Sequence, residues 1–104
     1  MEWNETRLID FFLANLKKII ILQELESSFT IQGKINSVEE LELCSYRLYE
    51  VQIINKKLNN IIYVTIHGGF IGINFENTSK KSKINSNKVR KKIPYKNLKV
   101  SLTN

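Results

Sequence analysis

The residues best suited to nucleophilic or metal chemistry are few in this chain and far apart. It has a single histidine, His67, and a single cysteine, Cys44. One distant His–Cys pair does not make a zinc site, and a lone cysteine cannot form an internal disulfide. A zinc centre and a disulfide-built secreted scaffold are therefore not expected. Cys44 is interpreted as a small hydrophobe beside a strand.

The segment His67-Gly68-Gly69-Phe70 is similar to the glycine-rich stretch that supplies oxyanion-hole amides in some esterases. Those enzymes also need a G-x-S-x-G elbow, and the sequence contains none. It also lacks a P-loop and a G-x-G-x-x-G motif. We therefore predict a non-enzymatic protein without a cofactor or a metal, in which His67 ends a strand at a glycine turn.

Three glutamates, Glu39, Glu40 and Glu42, form an acidic cluster. Neighbouring carboxylates can perform acid–base work or bind cations. Because no Asp-rich loop accompanies them, we interpret this cluster as a solvated turn.

Positive charge is concentrated in the last quarter of the chain. The net charge is +6, but residues 80–104 carry nine Lys/Arg and no acid, whereas residues 1–79 have an excess of acids. Such asymmetry favours a polyanionic partner, with binding that weakens steeply in salt. The predicted phosphate contacts are Lys80, Lys81, Lys83, Lys88, Arg90, Lys91 and Lys92, and Tyr95 with Lys96 is the predicted base-binding pair.

Three other uses of these charges stay open. The basic run could be a solubilising loop, it could bind an acidic protein surface, or it could rest against its own mildly acidic domain.

Five aromatic residues could stack on unpaired bases, which favours RNA or another single strand over duplex DNA. They are Tyr46, Tyr49, Tyr63, Phe70 and Tyr95.

The elements that must position these residues form one domain, as expected for 104 residues. A helix is predicted over 4–18, with Asn4 as N-cap and basic residues in its last turn. Ile19-Ile20-Ile21-Leu22 could extend this helix or open a strand. Strands are predicted at 29–35, continuing bent through 38–43, and at 46–54, 61–67, 70–75 and 93–102, with a flexible basic loop at 77–92.

This order predicts an α+β fold, in which an N-terminal helix packs on a curled antiparallel sheet or a small five-stranded barrel. Gly33 inside a strand indicates a bend or bulge. The acidic, polar N-terminus does not resemble a signal peptide, and charges interrupt the apolar run 8–22. We therefore expect a cytoplasmic protein without a membrane partner.

Three segments also resemble a known family: 8–18 (LIDFFLANLKK), 29–35 (FTIQGKI) and 93–100 (IPYKNLKV). They are similar to the helix, the bent second strand and the final Y-K-H strand of the Sm-like family, especially its bacterial Hfq type. The resemblance implies a helix followed by a five-stranded barrel, a ring of subunits and RNA binding, with Tyr95 and Lys96 at the site.

The sequence departs from that family's pattern at two functional positions. Ile9 stands where the family has an RNA-contacting glutamine, and Asn97 stands where it has histidine.

The alternative function is a small protein-interaction or inhibitor module, such as an accessory protein of a mobile element. Its wide apolar helix face would form a docking or homo-oligomer surface, or it would present an unpaired sheet edge to a macromolecular partner.

Overall fold

The computed structural model describes residues 2–43, 46–77 and 91–103, which form one helix and seven strands. The strands make a single antiparallel sheet in the order β6-β5-β4-β3-β2-β1-β7. The elements are α1 (Glu5–Ala14), β1 (Ile19–Glu24), β2 (Thr30–Leu43), β3 (Tyr46–Asn55), β4 (Asn60–His67), β5 (Phe70–Asn77), β6 (Lys91–Pro94), a 3₁₀ turn (Tyr95–Asn97) and β7 (Leu98–Leu102).

The α+β class and the curled antiparallel sheet are confirmed, but the predicted number of five strands is wrong. The ambiguous run Ile19–Leu22 belongs to a strand, and the predicted last strand, 93–102, is divided by the 3₁₀ turn. Helix α1 is also shorter than predicted, because it ends at Ala14. Asn77 closes β5 and Lys91 opens β6, so the predicted basic loop is flanked by strands, and residues 78–90 of it lie outside the described residues.

The 3₁₀ turn brings the sheet close to a barrel. It carries the chain from β6, which pairs with β5, to β7, which pairs with β1 at the other end of the sheet. The Tyr95 N–H donates to the Gly69 carbonyl at 3.1 Å, and the Leu25 N–H donates to the Asn97 carbonyl at 2.7 Å. The closing segment, residues 91–102, cannot be one straight strand, because it has to bond to both ends of the curled sheet.

The core fills the inner face of this sheet. Alternate residues of each strand point inward, as the period of two requires. Full burial of each large apolar side chain contributes about 1.5–3 kcal/mol. The buried apolar residues are Leu8 and Phe12 of α1 with Ile20, Leu22, Ile31, Ile35, Val51, Ile53, Ile62, Val64, Ile66, Ile71, Ile73, Ile93 and Leu98 of the sheet.

Local hydrogen bonds define both ends of α1. The predicted N-cap is confirmed, because the Asn4 side chain accepts from the Arg7 N–H at 2.9 Å. At the other end the Asn15 side chain donates to the Phe11 carbonyl at 2.7 Å. Lys17 then adopts a left-handed conformation (φ 71°), and its N–H donates to the Ile35 carbonyl at 2.8 Å. This backbone bond to β2 replaces the last predicted helical turn.

Strand β2 bends at two neighbouring places. The pairing register with β3 shifts between Ile35 and Ser37, so Asn36 is an extra, bulged residue. At Gly33, a Cβ atom would lie 2.6 Å from Ile53 Cγ2 and 2.8 Å from the Ile54 carbonyl oxygen. Gly33 therefore permits a close approach of β3, and the bulge lies three residues after it.

Candidate nucleic-acid interface

Four of the predicted contact residues lie in the described part of the chain, on β6 and the 3₁₀ turn. They are Lys91, Lys92, Tyr95 and Lys96. The others, Lys80, Lys81, Lys83, Lys88 and Arg90, lie outside the described residues.

Lys91 is engaged within its own domain. Its ammonium lies 2.7 Å from Glu24 Oε1 and 5.5 Å from the centroid of the Phe29 ring. The hydrogen bond from Lys91 is the largest influence that lowers the pKa of the Glu24 carboxyl, and a hydrogen bond from Ser27 adds to it. Lys91 thus rests against its own domain, which is one of the uses that we considered for the basic run.

Lys92 and Lys96 are more accessible. Both are exposed, and the Lys92 ammonium lies 5.0 Å from the centroid of the Phe70 ring. This cation–π contact occupies a face of Phe70 and orients the lysine.

Tyr95 packs against the core instead of projecting into solvent. Its side chain is half-buried, and its hydroxyl has no hydrogen-bond partner among the described residues. Desolvation, with a smaller effect from Glu5, raises the pKa of Tyr95 to about 12. The phenol is therefore neutral at physiological pH, and the residue is packed against the core.

The structure brings together a second cationic surface, which the sequence alone did not indicate. A groove of about 520 Å³ crosses the outer face of β1, β2 and β3 and reaches the turn after β3. We call it the β1–β3 groove. It is lined by Ile19, Gln32, Gly33, Lys34, Asn36, Ile54, Asn55, Lys56 and Lys57.

Strand register assembles the β1–β3 groove. Ile19 lies opposite Lys34, and Lys34 lies opposite Ile54, so these three side chains share the outer face. Lys56 and Lys57 follow directly in the turn between β3 and β4. The alternation of Gln32, Lys34 and Asn36 was visible in the sequence. The residues beside them on the neighbouring strands were not visible, because the pairing register of the strands was unknown.

Hydrogen bonds hold the groove's amide side chains in place. The Lys17 ammonium donates to Asn36 Oδ1 at 3.2 Å, and Asn36 Nδ2 donates to Gln52 Oε1 at 2.6 Å. Asn55 Nδ2 donates to the Gln32 carbonyl at 2.9 Å. These bonds order the groove walls before any ligand arrives, which lowers the entropic cost of binding.

The electrostatics of the β1–β3 groove favour an anion. Lys34, Lys56 and Lys57 are exposed, and none of the described residues that line the groove is acidic. Within residues 2–43, 46–77 and 91–103, no carboxylate forms an ion pair with any of these three lysines. Their charge is therefore available to a polyanion.

The predicted acidic turn lies within a strand, because Glu39, Glu40 and Glu42 all belong to β2. Glu40 accepts a hydrogen bond from the Tyr49 hydroxyl at 3.0 Å, and Glu39 lies opposite Glu50. Burial raises the pKa of the Glu50 carboxyl, and the charge of Glu39 raises it further. The predicted bent continuation through 38–43 thus belongs to β2, because the bulge at Asn36 carries the strand through the predicted gap at 36–37.

The remaining chemical candidates do not assemble into a centre. His67 ends β4 at the Gly68–Gly69 turn, as predicted. In the described ranges no three His, Cys, Asp or Glu side chains come together as metal ligands, and no helix is long and apolar enough to cross a membrane.

The chain matches no protein-family model, no curated protein and no solved structure. The fold and its surfaces therefore carry the functional argument.

Proposed function

We propose that this chain is a non-catalytic module that binds single-stranded nucleic acid, with RNA favoured, in the β1–β3 groove. The observation that carries the proposal is a preordered groove whose described lining has three exposed lysines, two isoleucines and no acid. Lysine ammonium groups contact phosphates, and neutralising those phosphates releases counterions. Amides and apolar side chains give the bases both polar and apolar neighbours.

The shape of the site favours a flexible strand over a duplex. The groove lies on a curled sheet face, and the described residues include no helix that projects to enter a major groove. A single strand can bend along such a surface and turn its bases toward it.

The C-terminal cations extend the proposal to a second contact region. Lys92 and Lys96 are exposed on the closing segment. Together with the basic run before them, they are proposed to bind phosphates of a longer strand. The resemblance to Sm-like proteins supports RNA as the ligand and a ring as the assembly.

A salt series of affinity measurements tests the β1–β3 groove. The K34Q/K57Q double variant is compared with R7Q/K99Q, which removes two exposed cations outside the groove lining. Binding of labelled single-stranded RNA is followed by fluorescence anisotropy. With about 0.7 counterions released per phosphate on single strands, K34Q/K57Q makes the slope of log K against log salt shallower by roughly 1.4. R7Q/K99Q keeps nearly the wild-type slope.

Two results would overturn this assignment. One is an absence of RNA affinity at low salt. The other is an equal loss of affinity and slope in both double variants, which would indicate a diffuse charge effect. Replacing Lys80, Lys81, Lys83, Lys88 and Arg90 by glutamine tests the second contact region separately. A further reduction in slope is expected if the run binds phosphates.

A second candidate function, a protein-interaction module, is favoured by one edge of β2. This strand pairs with β1 over Thr30–Lys34, and among the described residues no strand pairs with that edge from Ser37 to Leu43. A free edge can accept an extended peptide. Recovery of a specific protein partner by a chain that is indifferent to nucleic acid at low salt would favour this function.

A further inference from the structure

We infer that the β1–β3 groove selects bases that present two adjacent hydrogen-bond acceptors, which are guanine and cytosine, over adenine and uracil. This inference rests on the proposed function. It is carried by a chain of hydrogen bonds that runs from Lys17 through Asn36 to Gln52 on the outer face of the sheet. The direction of this chain determines which amide atoms are left for a ligand.

The bulge in β2 brings Asn36 beside Gln52. Ser37 is the cross-strand partner of Gln52, and the register shift leaves Asn36 as an extra residue next to this pair. Asn36 lines the groove, and so does Ile54, two residues after Gln52. Because side chains alternate along a strand, Gln52 and Ile54 share the outer face. The amides of Asn36 and Gln52 therefore lie side by side at the groove.

Lys17 determines the orientation of both amides. An ammonium group has donors only, so the Asn36 side-chain atom that lies 3.2 Å from Lys17 Nζ must be the oxygen. The Asn36 nitrogen is then turned toward Gln52, and the atom that it meets at 2.6 Å must be the Gln52 oxygen. A flip of either amide would set two donors against each other. One charged residue thus fixes the direction of the whole chain.

The fixed direction leaves two neighbouring amide donors for a ligand. Asn36 Nδ2 gives one hydrogen to Gln52 and has a second hydrogen to donate. Gln52 is half-buried, and its Nε2 has no hydrogen-bond partner in the part of the chain that the structure describes. Only one hydrogen bond and the width of one amide group separate these two nitrogens. Both carbonyl oxygens of the pair already accept a hydrogen bond.

Two adjacent donors discriminate between the edges of the bases. Guanine offers the adjacent acceptors O6 and N7, and cytosine offers O2 and N3 on its pairing edge. Adenine sets its N6 amino group beside N7 and N1, and uracil has its N3–H between two carbonyls. An adenine or uracil edge therefore leaves one donor unpaired or opposed by another donor. In an unpaired strand all these edges are open to the protein.

Base preference is measured with uridine oligonucleotides that carry guanosine, cytidine or adenosine at every third position, beside the all-uridine strand. Fluorescence anisotropy gives Kd for each strand. A matched pair of hydrogen bonds discriminates by roughly 5- to 150-fold, and we expect the guanosine or the cytidine strand to bind more tightly than the adenosine strand by a factor in that range. 7-Deazaguanosine and 3-deazacytidine each lack one of the two acceptors. The analogue that abolishes the preference identifies the base that is bound.

Lys17→Met tests the orienting role of Lys17, a positioning residue that is not inferred to touch the base. Without the ammonium both amides rotate freely, and an amide that presents its oxygen beside its nitrogen pairs with adenine. The ratio of Kd between the adenosine strand and the preferred strand therefore falls toward one. Lys17→Arg has donors only and keeps the ratio. Lys18→Met removes the neighbouring exposed lysine and is the matched control, which weakens binding of every strand and keeps the ratio.

Three results would overturn the inference. The first is equal affinity of the wild type for all four strands, or a preference for adenosine. The second is unchanged binding of both deaza strands, and the third is a Lys17→Met variant that keeps the wild-type ratio. In each case a preserved difference in salt slope between K34Q/K57Q and R7Q/K99Q would still support the proposed function, so the two failures are distinguishable.

Discussion

The ammonium of Lys91 lies 2.7 Å from Oε1 of Glu24, and this ion pair joins the first residue of β6 to the last residue of β1. Four strands separate β6 from β1 in the order of the sheet. The contact thus spans the seam where the curled sheet approaches itself. Lys91, the first residue of the closing segment, thus makes a charged contact across this seam. The 3₁₀ turn beyond it completes the closure.

We predict that Glu24→Gln lowers stability at neutral pH and weakens its dependence on acid. The pKa of Glu24 is lowered in the folded state, so its stabilising effect is present above the usual glutamate pKa. That effect is lost as the pH falls through the lowered folded-state value. Urea unfolding at neutral and acid pH measures both changes. Glu26→Gln, in the next turn, is the control; an equal shift in its unfolding midpoint would contradict a specific role for the ion pair.

Glu50→Gln is expected to stabilise the protein at neutral pH. Burial and the opposing Glu39 raise the pKa of Glu50, so the folded state favours the protonated carboxyl. In the wild type, stability therefore increases as the pH falls through this raised value and has its full gain below the unfolded-state pKa. The variant lacks this dependence. Thermal unfolding between neutral and mildly acidic pH tests it, and a variant that melts below the wild type at neutral pH would refute the sign.

Gly33→Ala is expected to destabilise the fold by about 1–3 kcal/mol through overpacking. Its Cβ would lie 2.6 Å from Ile53 Cγ2 and 2.8 Å from a backbone oxygen, neither of which can move freely. Gly69→Ala is the matched control, because nothing lies within 4 Å of a Cβ at that position. Denaturant unfolding of the two variants should show a large loss for the first alone.

Tyr95→Phe is expected to keep or improve stability, by about 1 kcal/mol at most, because it removes a buried hydroxyl without a described partner. The pKa of Tyr95 is raised to about 12, so wild-type stability declines as the pH rises from the unfolded-state tyrosine value toward 12. The variant should lose the ionisation with a pKa of about 12 from an absorbance titration. A destabilised variant at neutral pH would indicate that the hydroxyl has a structural partner.

Much of the fold could be predicted because it follows from local chemistry. The Asn4 side chain and the glycine turn after His67 act over a few residues, and inward alternation is visible within a strand such as 29–35. The shorter helix could not be predicted, because its last turn is replaced by the distant bond between Lys17 and Ile35. The split of the last strand has a similar cause, since it must bond to both β5 and β1.

The candidate site was less predictable than the fold. The sequence favoured a contiguous basic run, because neighbouring charges are visible without a structure. Lys34 and Lys57 are separated in sequence and become neighbours of one groove through the pairing of β2 with β3. A cluster formed across strands has no linear signature.

The sequence by itself determined that the chain has one mildly acidic part and one strongly basic part, an N-capped helix and alternating strands without a catalytic motif. Only the tertiary structure decided which charges share a surface: it paired Lys91 with Glu24 and set Lys34 and Tyr63 on one outer face. The physical reason is that alternation assigns each side chain to a face, whereas its neighbours on that face depend on strand register. Register is set by the packing of the whole core and by the bulge at Asn36.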